Sequence, residues 1–157
     1  MSNSETMLAV GDKLPSDLGF DSEGKMVHSE DFAGKPLIVY FYPKDNTSGC
    51  TAEACSIRDD YARLTGMGYV VIGISKDSAA SHVKFAGKYS LPFLLLSDES
   101  TEVNQAFGVW QKKKMAGREY MGTVRATFVT DADHRITHVV KKVDTKRAGT
   151  QLIELLS

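Results

Sequence analysis

Two cysteines, Cys50 and Cys55, lie five residues apart in the segment NTSGCTAEAC, and they are the only two in the 157-residue chain. A thiolate is a strong nucleophile and is readily oxidised, so a close pair of thiols predicts redox chemistry or metal binding. The spacing is not the C-x-x-C of metal knuckles and dithiol oxidoreductases. Two cysteines are also too few for a disulfide scaffold. We therefore interpret the pair as chemical rather than structural.

Cys50 is predicted to lie in the first turn of a helix, after the polar loop KDNTSG. Unpaired backbone N–H groups and the positive end of the helix dipole favour a thiolate there. A free thiol with a pKa of about 8.5 is only slightly ionised at neutral pH, so this environment would increase the reactive fraction. A second interpretation stays open, in which Cys50 is simply a small buried hydrophobic residue.

Arg125 is the second candidate, because it is predicted to lie in a strand, TVRATFV, among apolar and β-branched residues. Arginine is seldom buried without a partner. The partner is either the carboxylate of Glu53 or the thiolate of Cys50, with Glu53 orienting the guanidinium. Thr47, three residues before Cys50, has a hydroxyl that can cap the helix or donate to a ligand above the sulfur.

The predicted elements place these residues at one end of a sheet. KPLIVYFYP predicts a buried central strand over Leu37–Tyr42, and Pro43 ends it because proline cannot donate to the ladder. Apolar residues then recur at helical spacing from Cys50 to Leu64, and the helix ends at Gly66 and Gly68. In open α/β sheets, sites form beyond the carboxyl ends of strands.

The rest of the chain predicts alternating strands and helices. LGFDSEGKMVHS indicates two short strands around a turn at Ser22–Lys25, YVVIGIS and PFLLLSD indicate buried strands, and SAASHVKFAGKY, STEVNQAFG and KRAGTQLIELL indicate helices. TVRATFVTDADHRITHVV predicts a hairpin that turns near Asp131–His134, and KKK at Lys112–Lys114 predicts a solvated loop. We expect one α/β domain over residues 1–157, with a mixed central sheet, helices on both faces and a thioredoxin-like architecture.

Composition and charge exclude several other classes of protein. The chain is 42% hydrophobic and 25% charged, as is typical of globular proteins, and its net charge of −1 provides no basic field for nucleic acid or an anionic membrane. Its apolar runs are too short to span a bilayer, and no secretory signal pattern is visible, so we expect a cytoplasmic protein. His134 and His138 could share a strand face, but no cysteine or carboxylate cluster accompanies them and no metal site is predicted.

Pro43, Thr47 and Cys50 together match the P-x-x-x-T-x-x-C signature, and in this the chain resembles the peroxiredoxins. FYPKDNTSGCTAEAC is similar to the bacterioferritin comigratory protein, or PrxQ, branch of that family. GVW at Gly108–Trp110 and RATFVTD at Arg125–Asp131 resemble the same branch. The resemblance implies a thioredoxin-like fold with an N-terminal β-hairpin extension.

One departure from the branch pattern is Ser48, where the branch usually has proline. The resemblance implies thiol-dependent reduction of hydrogen peroxide and organic hydroperoxides by a monomer that uses no cofactor and is recycled by thioredoxin. Cys50 would be the peroxidatic thiol, oxidised to a sulfenic acid. Cys55 would be the resolving thiol, because the resemblance points to the subtype with both cysteines in one helix.

The resemblance also implies roles for the surrounding residues. Arg125, the Thr47 hydroxyl and the backbone N–H groups around Gly49 would donate hydrogen bonds to the reacting atoms. Pro43 would shield the sulfur from water, and Glu53 would support the guanidinium. Two other classes stay open, a thiol–disulfide exchange protein and a redox-sensing module on the same fold.

Helix geometry sets a condition on any bond between the two thiols. Residues five apart on an α-helix are separated by a rise of about 7.5 Å and a rotation of about 140°, which places their Cα atoms roughly 8–9 Å apart. A disulfide needs Cα atoms within about 7 Å. The first turns, roughly Ser48 to Ile57, must therefore unwind before Cys50 and Cys55 can bridge.

Overall fold

The computed structural model describes residues 6–157, which form nine strands and five α-helices within that range. The strands are β1 (Asp17–Phe20), β2 (Met26–His28), β3 (Leu37–Phe41), β4 (Val70–Ser75), β5 (Leu94–Ser97), β6 (Trp110–Met115), β7 (Arg118–Thr123), β8 (Ala126–Thr130) and β9 (Ile136–Val140). The helices are α1 (Ser48–Asp59), α2 (Tyr61–Gly66), α3 (Ala79–Tyr89), α4 (Glu102–Phe107) and α5 (Ala148–Leu156).

Seven strands form one mixed sheet in the order β2-β1-β5-β4-β3-β8-β9. The strands β3, β4 and β5 are parallel, and β8 pairs antiparallel with β3. The β1–β2 hairpin extends the edge next to β5, and β8–β9 forms the other edge. The predicted mixed α/β sheet with an N-terminal hairpin is confirmed.

Helices cover both faces of the sheet, as predicted. On one face Ile38 and Tyr40 of β3 pack in a core with residues of α1, α2, α3 and α5. On the other face Val39 and Phe41 pack in a second core with Val103 and Phe107 of α4. All five residues of β3 are buried, which explains the continuous apolar run in its sequence.

The helix predicted from Cys50 to Leu64 is in fact two helices. The break falls at Asp60, whose φ of −105° and ψ of 8° leave the helical region. The Oδ2 atom of Asp60 lies 3.4 Å from the hydroxyl of Thr150, close to the beginning of α5. The break therefore accompanies packing against α5, which is far away in the sequence. The spacing of apolar residues around Asp60 does not predict it.

The loop predicted at Lys112–Lys114 is wrong, because these lysines lie in β6, which pairs with β7. Ala116 and Gly117 both have positive φ at the turn, 52° and 80°, and this geometry matches the twist of a tight hairpin. Lys113 is half-buried and its two neighbours are exposed, which is the alternation of burial expected of a strand. Because all three residues are lysines, the sequence does not show this alternation. Among the described residues, no helix is long and apolar enough to cross a membrane.

Candidate active site

Cys50 lies in the first turn of α1, beyond the carboxyl end of β3, as the sequence predicts. Its side chain is buried, with 2% of the residue exposed. Thr47 is the N-cap with extended backbone, and its carbonyl accepts the first helical bond from Thr51, at 2.8 Å. The sulfur is therefore held at a helix N-terminus, within the core that covers this face of the sheet.

Arg125 connects the two partners that the sequence offered as alternatives. Its Nη2 donates to Sγ of Cys50 at 3.3 Å, and its Nη1 donates to Oε1 of Glu53 at 2.5 Å. A Cβ added to Gly49 would lie 3.3 Å from Nη2, so glycine leaves room for the guanidinium. Arg125 itself lies between β7 and β8 and not within a strand, which corrects the sequence prediction.

The charges of Arg125, Glu53 and Cys50 influence one another strongly. Glu53 is fully buried, and burial raises its pKa to about 7 against the opposing effect of the Arg125 charge. Burial alone would lower the pKa of Arg125, but the charges of Glu53 and Cys50 outweigh it and the pKa is raised. The guanidinium is therefore a fixed cationic donor in contact with the sulfur.

Thr47 and Pro43 lie in the loop between β3 and α1, which leads to Cys50. The Thr47 hydroxyl makes no capping hydrogen bond to the helix, and it donates instead to the carbonyl oxygen of Lys44 at 3.0 Å. Its proton is thus committed to that carbonyl, which differs from the donor role predicted from the sequence, and its lone pairs are available to accept a hydrogen bond from a ligand. Pro43 is half-buried, two residues beyond the end of β3.

Cys55 is half-buried on the same continuous helix as Cys50, and both thiols are free. It lines a shallow groove with Ser56, Asp60 and Lys146, between α1 and the start of α5. The helical geometry of α1 keeps the two cysteines beyond disulfide distance in this conformation.

Two residues that interact electrostatically with Cys50, Tyr40 and Lys113, were missed by sequence reasoning. The Tyr40 hydroxyl and Oε2 of Glu53 are buried without a hydrogen-bond partner among the described residues. Burial, together with the charges of Glu53 and Cys50, raises the pKa of Tyr40 well above its ordinary value, so it is a neutral phenol. Lys113 donates to the carbonyl of Thr123 at 3.0 Å, and burial and the Arg125 charge lower its pKa.

No signal in the sequence identifies Tyr40, because an aromatic residue in a core strand is ordinary packing. Lys113 was hidden in the run of three lysines.

His134, considered above as a metal ligand, has its Nε2 within 3.1 Å of the carbonyl oxygens of Phe32 and Lys35. Within residues 6–157 there is no group of three or more His, Cys, Asp or Glu that could hold a metal ion.

The guanidinium of Arg125 contacts both the sulfur of Cys50 and the buried carboxylate of Glu53. A sulfur held against a fixed cation in this way is suited to attack on a peroxide. A dithiol oxidoreductase differs, because it keeps two thiols within reach of each other. The fold and the site thus define a thiol-dependent peroxidase. Comparison with protein families agrees, since residues 10–139 match the AhpC/TSA family, and the chain belongs to that family.

Several of the relatives and solved structures that are similar to the chain carry the names Bcp, PrxQ or bacterioferritin comigratory protein. Peroxiredoxin Bcp of Bacillus subtilis is 41% identical over 150 residues, which cover 95% of each chain. The structure of a cysteine-to-serine mutant of Xylella fastidiosa PrxQ has a TM-score of 0.87, with 28% identity and 96% of each chain covered. The bacterioferritin comigratory protein of Xanthomonas campestris, studied for its alkyl peroxide reduction activity, has a TM-score of 0.82, with 28% identity and 92% and 97% coverage.

Proposed function

We propose that this protein reduces hydrogen peroxide and organic hydroperoxides, with Cys50 as the nucleophile. The observation that carries the proposal is the 3.3 Å contact between Nη2 of Arg125 and Sγ of Cys50. A permanent cation in contact with a buried sulfur stabilises the thiolate, and it also lies where negative charge develops on a peroxide oxygen. The alkyl peroxide reduction activity of the Xanthomonas relative supports the organic substrates.

The first step is attack of the Cys50 thiolate on one peroxide oxygen in line with the O–O bond. The S–O bond forms as the O–O bond breaks, and the leaving hydroxide or alkoxide takes a proton to become water or an alcohol. Sulfur is oxidised to the sulfenic acid and the peroxide is reduced. Arg125 stabilises the moving charge, and Thr47 accepts a hydrogen bond that aligns the peroxide.

The second step is attack of the Cys55 thiolate on the sulfenic sulfur. The S–S bond forms as the S–O bond breaks, and hydroxide leaves and is protonated to water. Because α1 separates the two cysteines, its first turns unwind before this step. The presence of both thiols on one helix supports this assignment of roles.

The third step reduces the disulfide between Cys50 and Cys55 and so returns the enzyme to its starting state. A dithiol reductant with an accessible thiolate returns the disulfide to two thiols by thiol–disulfide exchange, and thioredoxin is the reductant that the resemblance implies. We further propose a single-domain monomer that works in the cytoplasm, where the thiols are kept reduced. The continuous sheet beneath the site supports the single domain.

The test is peroxide consumption, with and without thioredoxin, by wild type and by Cys50→Ser and Cys55→Ser. We expect Cys50→Ser to abolish turnover, whereas Cys55→Ser should complete one stoichiometric turnover and lose thioredoxin-dependent cycling. Equal loss of the first turnover in both variants would contradict this division of roles. A wild type that exchanges disulfides but consumes no peroxide would indicate the thiol–disulfide exchange function instead. One oxidation without cycling would indicate a redox sensor.

A further inference from the structure

A buried polar network holds the loop between β3 and α1. The side chain of Asp45 in this loop is 4% exposed. The Tyr42 hydroxyl donates to its Oδ1 at 2.6 Å, and the Ser81 hydroxyl donates to its Oδ2 at 2.7 Å. Nδ1 of His82 lies 2.7 Å from the same Oδ2. Tyr42 directly follows β3, and Ser81 and His82 belong to α3, so these contacts fix the loop from elements other than α1.

His82 has a hydrogen-bond acceptor at each ring nitrogen. On the opposite side from Asp45, its Nε2 lies 3.0 Å from the carbonyl oxygen of Leu96. Burial raises the pKa of Asp45, but hydrogen bonds from His82, Tyr42 and Ser81 outweigh burial and lower it, so the carboxylate is ionised and only accepts. A carbonyl oxygen also only accepts. Both ring nitrogens therefore donate, which makes the buried ring an imidazolium.

Further groups that face this ring do not change the assignment. The Tyr42 hydroxyl lies 3.5 Å from Nδ1, with its proton donated to Asp45. The Ser75 hydroxyl of β4 lies 3.5 Å from Nε2, with its proton donated to Asp77 at 2.7 Å. The hydroxyl protons are thus directed to carboxylates and away from the ring.

The same helix also holds the next residue of the loop. Asn46 has a φ of 60°, an uncommon conformation for a residue other than glycine. Its Oδ1 accepts from the Tyr89 hydroxyl at 3.2 Å and from Nζ of Lys88 at 3.4 Å, both in the last turn of α3. The backbone N–H of Asp45 donates to Asp77 at 2.8 Å. Two consecutive residues before Thr47 are thus tied to α3 and to the end of β4.

We propose that His82 is a positioning residue for the peroxide step. Its imidazolium holds Asp45, and through it the loop Pro43–Thr47, in place while α1 unwinds for disulfide formation. The inference rests on the proposed function of Cys50. In this arrangement the loop Pro43–Thr47 stays fixed, and only the helix α1, which carries both thiols, moves. After the disulfide is reduced, α1 needs only to refold against a loop that has kept its position.

The kinetic test separates the two steps by stopped flow. His82→Gln removes the charge, and we expect it to slow the first oxidation of Cys50 by about 10- to 100-fold, because the loop loses its alignment. Disulfide formation from the sulfenic acid should stay within about twofold of wild type. Val83→Ala, on the exposed side of the same helix, is the matched control and should leave both steps unchanged.

Ser81→Ala provides a milder version of the same test. It deletes one donor to Asp45 and keeps the imidazolium, so we expect a smaller slowing of the first oxidation only. This variant decides the matter if His82→Gln does not fold. Wild-type rates of the first oxidation in the variant that folds would overturn the proposal, and so would equal slowing of both steps.

A spectroscopic test needs no peroxide chemistry. In protein labelled with ¹⁵N-histidine, the His82 signals, identified by their loss in His82→Gln, should show both ring nitrogens protonated at neutral pH. They should do so in the reduced form and in the disulfide form prepared with diamide. The Asp45 amide, which donates to Asp77, should exchange equally slowly in both forms. A neutral ring, or faster exchange of this amide in the disulfide form, would overturn the proposal.

The two tests also separate this inference from the proposed function. If the wild type consumes no peroxide, the proposed function fails and a role of His82 in the peroxide step fails with it. The diamide-prepared disulfide would then still show whether the imidazolium holds the loop. If the wild type is active and His82→Gln is equally fast, the positioning role alone is wrong.

Discussion

The backbone N–H of Gly149 donates to the hydroxyl of Ser56 at 3.0 Å, next to Cys55 in the sequence. A Cβ added at Gly149 would lie 2.5 Å from the Ser56 carbonyl oxygen, so α5 begins in direct contact with the backbone of α1. Ile57, the following residue, is fully buried in the core. The last turn of α1, from Ser56 onward, is therefore anchored, and both thiols lie before it.

This anchor predicts where the unwinding of α1 ends. In the disulfide form, amides from Thr51 to Cys55 should lose protection from hydrogen exchange, while that of Asp60, which donates to the Ser56 carbonyl oxygen, should keep it. The measurement is hydrogen exchange on reduced and disulfide protein, with peroxide-treated Cys55→Ser as a control that cannot bridge. Unchanged protection from Ser48 to Ile57, with the disulfide confirmed by mass spectrometry, would show that unwinding is not required. Loss of protection at Asp60 as well would show that the anchor does not hold.

Gly149→Ala should destabilise the protein by about 1–3 kcal/mol, because the methyl group would overlap the backbone of α1. The matched control is Gly87→Ala in α3, where an added Cβ meets nothing within 4 Å. That control should stabilise the protein by about 0.5–1 kcal/mol through helix propensity. Urea denaturation of the two variants and wild type measures both effects. A Gly149→Ala protein as stable as wild type would contradict the tight contact.

Arg125→Met should slow the first oxidation of Cys50 by about 10²–10³-fold, because the sulfur and the departing oxygen lose a charged donor. Alkylation of Cys50 at neutral pH should also slow, since the sulfur loses its charged donor. Stopped-flow oxidation and alkylation at one fixed pH give the two readouts. Arg118→Met, at an exposed site on β7, is the control. Unchanged rates of oxidation and alkylation would leave Arg125 as a structural partner of Glu53 alone.

Glu53 should make the stability of the protein depend on pH. Its pKa is raised from 4.5 to about 7 in the folded protein, so the folded state binds its proton more tightly than the unfolded state does. Its contribution is fully present below pH 4.5 and is lost as the pH rises through about 7, a change on the order of 3 kcal/mol in the free energy of unfolding. Glu53→Gln should flatten this part of the pH profile, and denaturant unfolding between pH 4 and 8 measures it.

The surface carboxyl of Glu102 provides the control for this pH dependence. Glu102→Gln should keep the wild-type fall in stability over the same interval. If Glu53→Gln and wild type lost stability in parallel, the dependence would come from other groups.

The amino-acid sequence by itself determined the elements with strong local patterns. The apolar run of β3, the helix that begins just before Cys50 and the turn at Asp131–His134 depend on hydrophobic periodicity and on residues close in the chain. The position of Cys50 at a helix N-terminus also follows from these short-range signals. The sequence motif around it was enough to indicate the family.

The tertiary structure alone decided which distant side chains meet. Arg125 is 75 residues from Cys50 and 72 from Glu53, and sequence reasoning left its partner open because either contact satisfies a buried guanidinium. The structure shows that one guanidinium contacts both. The break at Asp60 and the pairing of His82 with Asp45 have the same origin. Each depends on the packing of elements that are far apart in the chain. The local spacing of apolar residues does not predict such packing.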